Sequence, residues 1–445
     1  IDSFEAMVLR NSGNDWNMSG YRDGFMTGLV DEVDLEKQAF QPVEVYFNGE
    51  YWGIYNLREK VNEHFLASHH DIDSDDVDLL GFDGSEVING ENTHYLDLLN
   101  YVNNNALNSE ADFEYVQDRV DIRNFIDYQL SQIYYDNQDW PGNNIKFWRP
   151  RQPGGKWRWI LYDTDFGFST WSQNNYMRNT LEFATDPAGP GWPNPPWSTL
   201  LLRKFLTNPQ FKQDFILTAC DLLNQPFRPD VVDAALNGVQ QGLMLSLPTH
   251  FQRWGHNDFV HWTSEGLIMD DFAQNRPAYM RNHFRNKFNL GADSQFEISI
   301  YPPHAGKVKV HSIMPDSYPW TGTYFSDVPL DIRAIALSGF QFSHWEGIGG
   351  DDPDLSISLL NSVSLTAVFE PVSPDDGALV INEINYHSDS GNDCADWIEL
   401  YNGTQMEIDL SSWFISDGAD DNQFVLPELI LPSDGYLIAS VDSLA

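Results

Sequence analysis

Acidic and amide side chains crowd the stretch Tyr134–Phe168, and two of its turns have the residues for chemistry. The first gathers Asp136, Asn137, Asp139, Asn143 and Asn144 around Pro141-Gly142; the second is Asp163-Thr164-Asp165-Phe166-Gly167. Between them lie two apolar, strand-like runs, Ile145–Trp148 and Trp157–Tyr162, joined by a Pro/Gly/basic turn at Arg149–Lys156. This pattern predicts a hairpin. A hairpin returns the chain to its start, so Asp139 and Asn144 would meet Asp163 and Asp165 at one end. Carboxylate and amide oxygens gathered in this way make a hard site, suited to Mg²⁺ or Mn²⁺ carrying phosphate. The blander account is a hairpin with solvated turn carboxylates, and spacing alone leaves both open.

Asp139 and Asn144 stand as D-x-x-x-x-N, and Asp165-Phe166-Gly167 reads D-F-G. The pair resembles two protein-kinase signatures, a catalytic-loop Asp that accepts the substrate hydroxyl proton and an Asn and DFG Asp that hold metal. The His-Arg that precedes the catalytic Asp in kinases is missing, and Asn137-Gln138 stands there instead. Upstream come LRNSGNDW at Leu9–Trp16, YRDGF at Tyr21–Phe25 and the run Asn48-Gly49-x-Tyr51-x-Gly53-x-Tyr55-x-Leu57-x-Glu59-Lys60. With Asn137-x-Asp139, Asn144 and Asp163-x-Asp165 in the same order, residues 1–290 closely resemble the CotH family of spore-coat and secreted kinase-like proteins. The resemblance implies an α+β atypical kinase-like domain that moves the γ-phosphoryl of ATP to a protein hydroxyl with Mg²⁺ or Mn²⁺. It makes Asp139 the catalytic residue and Asn144, Asp163 and Asp165 the metal ligands. Glu59 and Lys60 close a strand and can face a phosphate or each other, which makes them the nucleotide-binding candidates. The family's small lobe also implies an earlier basic strand with a phosphate-clamping lysine, which this sequence lacks; Lys60 is the substitute.

The elements that must position these residues are legible in outline. Phe4–Arg10, Val43–Phe47 and Tyr51–Leu57 read as strands, the last two flanking the hairpin signal Asn48-Gly49. Helical periodicity covers Met18–Val33, Tyr95–Leu107, Phe113–Tyr135, Thr199–Phe205, Pro209–Asn224, Val231–Leu247 and Asp270–Phe288. Asn208 is the expected cap before Pro209. The acidic run Asp71–Asp78 lacks the Gly and terminal Glu of a calcium loop and reads as a solvated turn. After Phe168 runs a long Trp/Asn/Pro-rich segment with Trp171, Trp192 and Trp197, placed where a kinase's substrate-facing segment lies or where exposed rings could stack on sugars.

Composition sets the limits. At 445 residues the chain calls for several domains, and 42% hydrophobic residues suffice for folded cores. A net charge of −41, from 66 acidic and 25 basic residues, argues against nucleic acid or anionic membrane as partner and suits a saline or divalent-rich medium. The two cysteines, Cys220 and Cys394, make no disulfide framework or zinc motif, and Cys220 reads as a buried thiol. No run approaches the ~18 apolar residues of a membrane span. Ile1 opens mid-pattern, so the sequence reads as a fragment.

Near Asn289 the pattern changes to short alternating strands with Pro/Gly/Asp turns. Residues 295–371 resemble the divergent InlB-type repeat of bacterial surface proteins, a small all-β module. Beyond a linker at Pro371–Asp376, residues 377–445 resemble the lamin-tail domain, an Ig-like β-sandwich, through Asn382-Glu383, Asp396-Trp397-x-Glu399-Leu400-x-Asn402 and Trp413. The expected whole is a secreted or cell-surface multidomain protein whose kinase domain acts on a protein substrate and whose β-modules engage surface glycan or protein. The rival is a non-catalytic assembly or glycan-binding protein that uses the CotH fold as a scaffold. The acidic site favours the enzyme; the missing lysine and the Trp-rich segment favour the rival.

Overall fold

The computed structural model describes residues 5–255, 257–372, 379–385, 397–404, 406–411, 413–416 and 423–440. The chain divides into two compact units, Ile1–Ala292 and Asp293–Ala445. The first opens with β1 (Met7–Arg10), α1 (Arg22–Gly28), β2 (Glu36–Lys37), β3 (Phe40–Phe47) and β4 (Glu50–Glu59). It continues through α2 (Glu63–His70), β5 (Val77–Gly81), β6 (Glu86–Asn89), α3 (Thr93–Asn104), α4 (Glu110–Gln117) and α5 (Ile122–Tyr135). Then come β7 (Lys146–Pro150), β8 (Arg158–Leu161), α6 (Thr180–Ala184), α7 (Leu200–Phe205), α8 (Pro209–Asn224), α9 (Pro229–Leu243), α10 (Leu247–Trp254) and α11 (Phe259–Phe288).

Two sheets carry the unit, in the orders β1-β4-β3 and β2-β8-β7-β5-β6. Asn48 and Gly49 both adopt positive φ (51° and 85°), the geometry that a tight β3–β4 hairpin turn requires. β7 and β8 pair antiparallel with Lys146 opposite Ile160, so the residues just before β7 and just after β8 emerge at one end. The predicted hairpin therefore forms.

Two predicted helices came out shorter than expected, for local reasons. The run Phe113–Tyr135 is two helices, because Asp121 N and Arg119 O bond to the backbone of Trp157 and the Asp121 side chain caps α5 by accepting from Asn124 N. The run Met18–Val33 is helical only over Arg22–Gly28. The Asp15 carboxylate captures the amides of Ser19 and Arg22, and Gly20 sits at φ 80°. Nor is the acidic run near Asp78 wholly solvated: Asp78 is buried and paired with Arg149 at 2.8 Å.

Arg276 of α11 ties the helical part together. Fully buried, it donates to the carbonyls of Tyr134 (3.0 Å), Ile133, Tyr176 and Arg178 and to Thr180 Oγ1 (2.9 Å). It thereby satisfies carbonyls at the C-terminal end of α5, the helix that delivers the chain to Asp139.

In the second unit, β9 (Asp293–Tyr301), β10 (Gly306–Val310), β11 (Trp320–Phe325), β12 (Leu330–Ala336), β13 (Phe340–Glu346), β14 (Asp354–Ile357) and β15 (Val363–Pro371) form two sheets. Their orders are β10-β12-β14 and β11-β9-β15-β13, the β9–β15 pair being parallel. There follow β16 (Leu379–Asn385), β17 (Trp397–Asn402), β18 (Ile408–Asp409), β19 (Phe414–Ser416), β20 (Gln423–Val425), β21 (Ile430–Leu431) and β22 (Tyr436–Ser440). Leu400, Ile408, Leu410, Leu426 and Leu431 form their apolar cluster. The protein is thus multidomain, an α+β region followed by all-β structure. Cys394, Asp396 and residues 373–376 of the expected linker lie outside the described residues. Among the described residues no helix is long and apolar enough to cross a membrane.

Two stability measurements check this account. Replacing Arg276 with Met leaves several buried carbonyls unpaired, so the folding free energy measured by urea should fall by about 3 kcal/mol or more. A loss under about 1 kcal/mol would show that Arg276 is not the tie described. Asp136, at the end of α5, is buried, and burial pushes its carboxyl up to about 6 against the opposing charges of Arg276 and Arg178. A carboxyl raised above its unfolded value of about 3.9 binds its proton more tightly when folded. Its stabilising contribution is therefore complete below about pH 4 and is lost as pH rises through about 6. Asp136→Asn should flatten that decline, while Asp127, also raised to about 6 by burial, keeps part of the slope.

Candidate active site

Beyond β8 the backbone turns sharply at Asp163, whose φ of 54° is left-handed for a non-glycine residue. The next residue, Thr164, donates from its N–H (2.8 Å) and its hydroxyl (3.0 Å) to Asp23 Oδ1. That clamp fixes the two flanking aspartates. Arg10, the last residue of β1, places Nη2 on both Asp163 Oδ1 and Asp165 Oδ2, the latter at 3.2 Å. Asn14 N donates to the same Asp165 oxygen at 3.0 Å. Gly13 makes this approach possible: its φ is 56°, and a Cβ there would sit 2.6 Å from Asp165 Oδ2 and 2.9 Å from Arg10 Nη2. Gly167 is equally committed, since a Cβ would lie 2.9 Å from Tyr135 O.

On the other side of the hairpin, α5 ends at Asp136, also left-handed. Asn137 is buried, donates to Gln132 Oε1 (2.9 Å) and accepts from Asp139 N (3.2 Å), which orients the following turn. Asp139 Oδ2 accepts from Asn143 Nδ2 (2.8 Å) and Asn144 Nδ2 (2.7 Å). Asp139 Oδ1 is buried and, among the described residues, has no hydrogen-bond partner. The long segment after Phe168 packs here too, Gly142 N donating to Pro193 O at 2.6 Å. Trp171 and Trp192 remain about half exposed, at 49% and 59%.

The electrostatics show that the two turns share one field. Burial, and next the charge of Asp163, push the Asp165 carboxyl up to about 7, although Arg10 acts in the opposite direction. Burial also raises Asp139, with Asp163 adding to it and the two asparagine hydrogen bonds opposing. Burial works against the charge of Asp23 as well, but Arg58, Arg10 and Thr164 hold its carboxyl below the ordinary range. Negative charge is thus concentrated beyond what Arg10 compensates.

The remaining predicted residues are placed differently. Glu59 is buried at the end of β4, accepting from Ala39 N (2.9 Å) and meeting His69 Nε2 (2.8 Å), so its carboxylate is engaged inside the small sheet region. Lys60 is exposed, and its charge bears on Lys146. Lys146 stacks on Tyr162 at 4.8 Å and responds to Asp163. Arg10, Asn14, Asp23 and Lys146 therefore belong to the site although their spacing gave no sign of it. Arg10 and Asp23 do lie within the LRNSGNDW and YRDGF motifs, which was the available signal.

The family model described as CotH kinase protein matches residues 1–280, well over half of the chain. The chain belongs to the CotH family. The Lamin Tail Domain model matches residues 373–443. A search of the curated proteins finds no match. In this CotH chain the donor set suits a divalent cation in kind: Asp165 and Asp139 carboxylates raised by burial and next by neighbouring charge, a buried Asp139 oxygen with no partner among the described residues, and amide oxygens beside it. Among the described residues no three His, Cys, Asp or Glu side chains gather as a ready coordination sphere. Arg10 sits on the oxygens of Asp163 and Asp165 instead.

Gly13→Ala tests the close approach of the β1 loop. Left-handed backbone and collision with Asp165 should together lower the folding free energy by about 1–2 kcal/mol in urea unfolding. A change within about 0.5 kcal/mol would mean the loop has room to spare.

Proposed function

We propose that this CotH domain is a metal-dependent phosphotransferase, moving the γ-phosphoryl of ATP to a hydroxyl of a protein substrate. The observation that carries the reading is the emergence of Asp139–Asn144 and Asp163–Asp165 at one end of the β7–β8 hairpin, in a shared field of excess negative charge. Asp163, Asp165 and Asn144 would hold Mg²⁺ or Mn²⁺, which when bound neutralises charge on the transferred phosphoryl. Asp139 has one oxygen fixed by Asn143 and Asn144 and the other buried with no partner among the described residues, so once an acceptor hydroxyl reaches it, it would orient that group and take its proton on Oδ1. Asp23, through Thr164, keeps the two metal-side aspartates in register. Lys146 feels the charge of Asp163, and Lys60 acts on Lys146; the two would supply positive charge for the phosphates. Most of the rate enhancement would come from positioning and preorganised charge. An extracellular or cell-surface setting is supported by the lamin-tail module and the strong acidity.

A second reading draws on the exposed Trp171 and Trp192: a scaffold that binds glycan or protein without transferring phosphate. Labelling with γ-phosphate in the presence of Mg²⁺ or Mn²⁺ decides between them. The protein should label itself or an added protein acceptor, and Asp165→Ala should abolish the label. Asp139→Ala should slow transfer by roughly 10²–10⁴-fold with a much smaller effect on nucleotide affinity. Labelling that persists in Asp165→Ala, or its absence in the folded wild type, would leave the scaffold reading in possession.

A further inference from the structure

Arg10 is an unusual occupant for a site that must accept a divalent cation. A single nitrogen, Nη2, touches Asp163 Oδ1 and Asp165 Oδ2, one oxygen from each of two carboxylates of the proposed metal site. Arg10 is held there by more than those contacts. Its strand pairs with β4, with Arg10 opposite Asn56, and the loop that follows sends Asn14 N to Asp165 Oδ2 at 3.0 Å. Gly13 removes the side chain that would keep that loop away.

The same guanidinium has a second acceptor within reach. Asp23 is buried, and its Oδ2 has no hydrogen-bond partner among the described residues. Arg10 Nη1 stands 3.9 Å from that oxygen, with Arg58 Nη1 at 3.3 Å on it as well. Oδ1 of Asp23 is already used by Thr164, so Oδ2, which has the charge of Arg58 beside it but no hydrogen bond among the described residues, is the oxygen with room for a donor. A small swing of the guanidinium would exchange the Asp163/Asp165 pair for Asp23, so Arg10 stays paired while an incoming cation takes its place on the buried Asp165.

Building on the metal-site reading above, we propose that Arg10 is a resident counter-cation that competes with a divalent cation for Asp163 Oδ1 and Asp165 Oδ2. Asp23 is the berth to which it withdraws. Arg10 is then a positioning residue: it keeps the aspartates together when no metal is bound and sets the metal concentration at which the site fills. Free to turn once displaced, it remains on the side of the site where a triphosphate would need positive charge.

The test is Mn²⁺ affinity of the whole chain without nucleotide, read from the electron paramagnetic resonance of unbound Mn²⁺. Arg10→Gln should bind Mn²⁺ at least about tenfold more tightly than wild type, and Arg10→Lys, which keeps the charge, should stay close to wild type. Arg10→Met, similar in volume, repeats the comparison should Arg10→Gln fold poorly. Asp23→Asn should weaken Mn²⁺ binding severalfold when Arg10 is present and have little effect in the Arg10→Gln background. A merely structural role of Asp23 would weaken both backgrounds alike and would overturn the berth. Equal Mn²⁺ affinity in wild type and both neutral Arg10 variants overturns the competition while leaving the metal site standing. Failure of every variant to bind Mn²⁺ overturns the metal site and this inference together.

Discussion

Three carboxylates, Asp23, Asp163 and Asp165, are held around the guanidinium of Arg10, with Arg58 also on Asp23, and their three charges exceed these two. Like charges at this separation raise one another's proton affinity or call for a cation. The rest of the first unit resists the separation that would relieve them. Thr164 is pinned to Asp23 by two hydrogen bonds, Gly13 lets the β1 loop close over Asp165, and the hairpin register fixes where Asp163 leaves the sheet. Crowding of this sort has a cost to stability, which is why it points to a binding role.

The supports of the site are other buried charges, each held by an opposite charge or by backbone carbonyls. Arg276 holds the end of α5 and with it the turn that carries Asp139. Arg22 links Asp15, whose carboxylate organises the turn before α1, to Glu265 of α11. Arg58 sits against Asp23 and donates to Thr27 Oγ1 at 3.1 Å. Removing any one strands a buried partner, so these ties set geometry more than they add net stability. Around them Phe168 packs with Phe25 and Phe272, an apolar column just beyond the D-F-G turn. The turn and the packing behind it are therefore coupled through a few residues.

What the sequence disclosed follows from the range of the interactions involved. The β7–β8 hairpin was legible because two apolar runs and a Pro/Gly turn are local signals, and its closure placed Asp139 near Asp163 without further information. Asn48-Gly49 and the Asn208–Pro209 cap were legible for the same reason; Asn208 accepts from Phe211 N as expected. The break between α4 and α5 was hidden, since it depends on Trp157 supplying backbone partners from a distant strand. Arg10 and Asp23 were hidden more deeply: their bonds to Asp163 and Thr164 span 153 and 141 residues. Glu59 shows the converse. Its neighbour Lys60 suggested a local pair, whereas His69, one helix away, had the better geometry. The family motifs carried the information that spacing lacked, by marking residues whose partners only the fold reveals.

The central claim is that this carboxylate cluster is a divalent-cation site for a nucleotide. It is tested most directly by a crystal structure with Mn²⁺ and a non-hydrolysable ATP analogue, with Mn²⁺ located by its anomalous scattering. The account predicts a Mn²⁺ peak at roughly 2.1 Å from carboxylate oxygens of Asp163 or Asp165, phosphates between that ion and Asn144, and Arg10 moved off both aspartates. Nucleotide bound elsewhere, or Arg10 still seated on Asp163 and Asp165 with no Mn²⁺ peak beside them, would contradict it.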